Sequence, residues 1–247
     1  MQHEVPSTPS APGAASAAPT APAPAAPIVS LPGYTAVVLP VIALAAQFAI
    51  GLLLGVFGIG AALRGGGAQI LVLVTATGLS ALSYLAIVHA VLRMRGWRWA
   101  DLGLGQCRNG PIFVAIAIGL ATAVLGALYD TAMNAPLRSP FRNLPALEFL
   151  LVVLTLGILV PIAEEILFRG IVFPVLKARL GDAAFAILVS ALIFGAFHLV
   201  PAQIVVGVVL GLPLAWLRHW SGSLLPPIAL HMTHNLGVVA LIAWNVI

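Results

Sequence analysis

Apolar runs of about 18 or more residues recur along this chain, each long enough to cross a bilayer as a helix. Seven spanning helices are expected, at roughly 35–63, 68–92, 111–134, 147–167, 183–199, 202–217 and 225–246. The fourth is expected to continue past Arg169 toward Leu176, with a kink at Pro174, which lacks a backbone donor. The fifth and sixth are short and split by Pro201, a pattern that reads as a tight helical hairpin. The fold class that follows is all-α, a polytopic transmembrane bundle of about seven spans. Residues 1–32 are Ala, Pro, Ser and Thr in low-complexity order and are expected to form a disordered tail. They lack the basic start of a secretory signal, and the apolar run after them is longer than a signal core, so the first helix is expected to be retained. Residues 33–146 then carry the N-terminal spans, and 147–247 carry the polar residues discussed below. The chain has no internal repeat of the kind transporters often show.

Composition sharpens the membrane reading. Hydrophobic residues make up 61% of the chain and charged residues 7%, against about 25% charged in a soluble domain. So few charges cannot coat a water-facing surface. The net charge is +4, but the basic residues sit in short loops, not in the stripe a nucleic-acid binder needs. Arg93, Arg95, Arg98 and Arg108 follow the second span, Lys177 and Arg179 the fourth, and Arg218 the sixth. The opposite side holds Arg64, Arg138 and Arg142. Positive-inside bias then predicts a cytoplasmic N-terminus and an external C-terminus, in a membrane expected to be the bacterial cytoplasmic one. The lone Cys107 excludes an intramolecular disulfide and a cysteine-rich zinc site.

Charged residues inside a span are costly and mark functional candidates. Asp130 lies near the end of the third span, within reach of the interface. The fourth span is different: Glu164, Glu165 and Arg169 sit inside one apolar run. Glu165 and Arg169 are four residues apart and share a helix face, within pairing reach. Such a pair also fits a clamp that merely pins two helices. Glu164 points about 100° away and is the better candidate for a general base. His198 ends the fifth span, where a lone histidine is more often interfacial or capping than catalytic. His231, His234 and Asn235 lie in the last span. His231 and Asn235 share a face, His234 is about 60° off it by the same geometry, and Asn235 could equally bond helices together. A carboxylate base, histidines able to hold water or metal, and an amide donor are together the parts of a hydrolytic site.

These residues resemble the CAAX protease and bacteriocin-processing (CPBP) family of intramembrane proteases. Glu164-Glu165-x-x-x-Arg169 is similar to its first motif, Phe194-x-x-x-His198 to its second and His231-x-x-x-Asn235 to its last. The stretch 207–235, with Leu210-Gly211 and Ser223-Leu224, is similar to its third conserved stretch. The resemblance implies an intramembrane endopeptidase in which Glu164 and His198 activate water. It implies that His231 and Asn235 hold or stabilise the tetrahedral intermediate, with Glu165 and Arg169 in support. His234 has no matching position. Expected partners are membrane lipids and a membrane-associated protein or peptide substrate, with no nucleic acid. No obligatory cofactor is expected; two histidines and a glutamate could hold zinc, but the H-E-x-x-H helix is lacking. The alternatives are a bacteriocin self-immunity or peptide-processing factor, a small proton-coupled transporter, and a noncatalytic scaffold.

Overall fold

The computed structural model describes residues 27–62, 67–105, 107–132 and 143–243. Most of the expected tail, Arg64, Arg138, Arg142 and the Asp130 side chain lie outside the described residues. Among the described residues every regular element is helical. The main helices are α1 (Thr35–Ala62), α2 (Gly67–Arg95), α3 (Asn109–Ala132), α4 (Ala146–Leu180), α5 (Ala183–Ala196), α6 (Pro201–Ser221) and α7 (Leu225–Ala243). Six are long and apolar enough to cross a membrane, and α5 is a shorter apolar helix. Helices are the natural solution here, because a chain in hydrocarbon must satisfy its own backbone polar groups. Phe48, Leu52, Phe113 and Leu125 are exposed on the outer faces, where acyl chains would cover them. A short turn at Pro27–Ser30 precedes α1, with Ile28 and Leu31 buried.

Helix α4 lies at the centre, against α2 and α7, and it is not a uniform α-helix. It widens to π geometry at Val153–Leu159 and again at Phe168–Val172. Each wide turn lies just ahead of a proline, Pro161 and Pro174. The hydrogen bonding shows what the prolines do. Val160 N–H bonds back to Thr155 O, and Phe173 N–H to Phe168 O. The next donor in each case would be the proline nitrogen, which has no hydrogen. The carbonyls of Leu156 and Arg169 are thereby left without their intrahelical donors. The sequence around both breaks is nearly the same, LGILVP at 156–161 and RGIVFP at 169–174. The helix runs on past Pro174, as expected, through two wide turns that bracket Glu164 and Glu165.

Two small-residue rows bring α5 and α6 together. A Cβ on Gly207 would lie 2.9 Å from Gly195 Cα, and one on Gly211 would lie 2.9 Å from Ala191 Cα. The four-residue spacing of each row gives the close approach that membrane helices use in place of a hydrophobic drive. The turn between them strains Leu199, at φ 61°, and Val200, the residue before Pro201, is extended, as a following proline favours.

The basic loops gather at one end of the bundle. Lys177 Nζ donates to His219 Nδ1 at 3.0 Å, and Arg179 Nη2 to Leu31 O at 2.7 Å. Arg218, expected as a loop charge, is instead a helical residue of α6 and is buried. It reaches Leu102 O in the loop after α2 at 3.0 Å.

Candidate active site

The centre of the site is a buried cluster on α4 and α7. Arg169 Nη1 donates to Glu165 Oε1 at 2.9 Å, as the four-residue spacing predicts. His231 Nδ1 reaches the same oxygen at 2.9 Å. Arg169 Nη2 donates to Gly211 O at 3.1 Å, which the close α5–α6 packing helps to position. Glu165 thus has two donors on one oxygen, and its side chain is 0% exposed. Glu164 is held differently. Its Oε2 lies 3.8 Å from His231 Nε2, beyond hydrogen-bond length, and its side chain keeps 9% exposure. One imidazole therefore faces both carboxylates, bonded to one and only close to the other. Glu165 Oε2 and Arg169 Nε have no hydrogen-bond partner among the described residues, and buried orphans of this kind call for an explanation.

An aromatic platform joins the second motif to this cluster. The Arg169 guanidinium lies 4.3 Å from the centre of the Phe194 ring. Phe194 meets His231 edge-on at 5.7 Å and His198 at 5.1 Å. His198 Nδ1 donates to Phe194 O at 3.0 Å, one turn back, which leaves Nε2 as the free nitrogen of a neutral ring. Phe194 had a place in the motif but no assigned task; its spacing of four from His198 was the available signal. Tyr84 on α2 lies edge-on to Phe197 at 5.5 Å and donates its hydroxyl to Gln47. Neither Tyr84 nor Gln47 carries a motif spacing that would have singled it out.

Asn235 lies on the same face of α7 as His231. Its Nδ2 donates to Leu156 O at 2.8 Å, the carbonyl that Pro161 strands. One amide hydrogen of Asn235 is thus committed to holding α4. Removing it should leave Leu156 O unpaired, at about 1–3 kcal/mol. Asn235→Ala is expected to lower the melting temperature in detergent, and an unchanged melting temperature would show that this bond does not hold α4. His234 turns the other way, to Thr122 Oγ1 on α3 at 3.1 Å. Thr122 gives its own hydrogen to α3 carbonyls, so His234 Nδ1 is the donor. His234 lines a separate cavity of about 160 Å³ between α3 and α6.

His231 Nε2 lies 3.8 Å from Glu164 Oε2, and its Nδ1 lies 2.9 Å from Glu165 Oε1. Among the described residues no three of His, Cys, Asp and Glu are grouped to hold one metal ion.

The α4–α7 segment that carries this geometry can be compared with known families. Residues 146–237 match the model of the family described as type II CAAX prenyl endopeptidase Rce1-like. That segment resembles the Rce1-like family. The match covers all three motifs, so the resemblance read from their spacing holds. No individual curated protein and no solved structure matches the chain. The Rce1-like family indicates a membrane protease, and the six apolar helices agree with an integral membrane protein. The family description implies a lipid environment and a peptide substrate for its members.

Proposed function

We propose that this protein is an intramembrane endopeptidase in which Glu164 activates water against a peptide carbonyl of a membrane-associated substrate. The observation that carries the reading is the inequality of the two glutamates. Glu165 is locked by Arg169 and His231 at 2.9 Å each, whereas Glu164 has no donor in hydrogen-bond range among the described residues and its side chain keeps 9% exposure. A base must be free to take a proton. In the proposed reaction a water proton passes to Glu164 as the water oxygen bonds to the carbonyl carbon. The negative charge then forms on the carbonyl oxygen. His198, through its free Nε2 side, assists in holding the water. The second amide hydrogen of Asn235 supplies a positive dipole to the oxyanion, and His231, its Nδ1–H held by Glu165, helps to hold the tetrahedral intermediate through Nε2. The C–N bond breaks as the proton on Glu164 moves to the departing amine, restoring the carboxylate. Glu165 and Arg169 keep His231 aimed.

Purified protein in detergent, incubated with a peptide library and read by mass spectrometry, tests the activity. Discrete cleavage products that vanish in Glu164→Gln support it; ion flux without cleavage overturns it in favour of a transporter.

We also infer that the end bearing Lys177, Arg179 and the loop after α2 faces the cytoplasm, which puts the N-terminus on the same side. The gathering of these basic residues at one end supports it. In a Cys107→Ser background, single cysteines placed between residues 96 and 105 should resist a membrane-impermeant thiol reagent in intact cells. Labelling from outside would reverse the orientation.

A further inference from the structure

The proposed reaction gives no role to Arg218, although few side chains here are so fully engaged. Its Nε donates to Arg169 O at 3.0 Å, its Nη2 to Leu102 O at 3.0 Å, and its Nη1 to Gly222 O. The three carbonyls belong to α4, to the loop after α2, and to the end of α6. Arginine suits the task because its donors form a rigid planar fork.

The carbonyl on α4 is one of the two that the prolines strand. Phe173 N–H is spent on Phe168 O, and residue 174 is proline. Arg218 supplies the missing donor there, as Asn235 does for Leu156 O. The loop has adapted to reach the guanidinium. Gly103 has φ 93°, and a Cβ there would lie 2.7 Å from Arg218 Nη2. Only glycine meets both demands. Ser223 Oγ and Leu224 N–H also bond Gly103 O, so the loop is fastened to the start of α7 as well.

The residue whose backbone Arg218 holds is the one whose side chain holds Glu165. We propose that Arg218 is a positioning residue: by supplying the donor that Pro174 removes, it fixes the backbone at Arg169. It thereby sets the aim of that guanidinium at Glu165 and ties the loop after α2 to the catalytic cluster. The inference deepens the reading of the Glu164, Glu165 and His231 cluster as the reacting centre and rests on it. A shift of Arg169 along the wide turn would move Glu165 and, through it, His231.

The test uses the full chain in detergent, with Arg218→Gln, Arg218→Lys and Glu164→Gln beside the unaltered protein. The substrate is a peptide that the unaltered protein cleaves. Arg218→Gln is expected to lower kcat per folded molecule about 100-fold, the scale of a misplacement of about 1 Å, with KM little changed. Arg218→Lys should restore part of it, since an ammonium reaches one carbonyl but not three. Amide hydrogen exchange should quicken in Arg218→Gln both at 168–173 and at 99–105. A kcat per folded molecule equal to that of the unaltered protein overturns the positioning role, as does faster exchange confined to the end of α6. If Glu164→Gln cleaves normally, the reaction scheme itself falls, and the exchange pattern still decides whether Arg218 couples the loop to α4.

Discussion

Glu164→Gln is expected to abolish peptide cleavage while leaving the fold in place. The amide matches the carboxylate in size, and among the described residues the ion-pair contact of Glu164 is with His231 Nε2, 3.8 Å from Oε2 and beyond hydrogen-bond length, so no hydrogen bond is broken. The Glu165, Arg169 and His231 cluster keeps its two bonds of 2.9 Å. What the amide cannot do is take a proton from water. A general base contributes about 10²–10⁴-fold to rate, and that factor should be lost from kcat. The melting temperature should stay close to that of the unaltered protein, which separates lost chemistry from lost structure. Near-normal turnover in this variant would remove Glu164 from the role of base.

The spans were legible because an apolar run of bilayer length has few other fates, and the seven expected segments correspond to α1–α7. The Glu165–Arg169 pairing was legible too, since four residues on a helix place side chains on one face. The wide turns were not. A uniform repeat of 3.6 residues has no place for them, and a proline alone reads as a kink. The signal was present in another form: the recurrence of G-I-x-x-P at Gly157–Pro161 and Gly170–Pro174. Each copy removes the donor for the carbonyl just before its glycine, and that carbonyl must then be met by a side chain from another helix. Which side chain meets it is a tertiary fact. Arg218 therefore counted as a loop charge in the sequence, and Asn235 could be read either as a catalytic amide or as a bond between helices. The contact of His231 with both glutamates was hidden for the same reason, since spacing within α7 says nothing of what α4 presents to it.

Glu165→Gln is expected to fail differently, through stability. Its carbonyl oxygen can still accept from Arg169 and His231, but the negative charge is gone. Arg169, at 0% exposure, then keeps a bond to Gly211 O and a place beside the Phe194 ring, with no bonded anion. Breaking a buried pair from one side costs about 3–5 kcal/mol, because the remaining charge is stranded away from water. The expected symptom is a lower melting temperature in detergent and poor yield. Some turnover should remain in the molecules that fold, because Glu164 is intact. Changing both residues, Glu165→Gln with Arg169→Met, should recover part of the stability by removing the stranded charge. The recovery should be incomplete, since Gly211 O loses its donor and the Phe194 ring its cation. Melting temperature measured beside turnover of one peptide, across the two single variants and the double, reads these effects separately. A well-folded, inactive Glu165→Gln beside an active Glu164→Gln would exchange the two roles, making Glu165 the base and Glu164 the support.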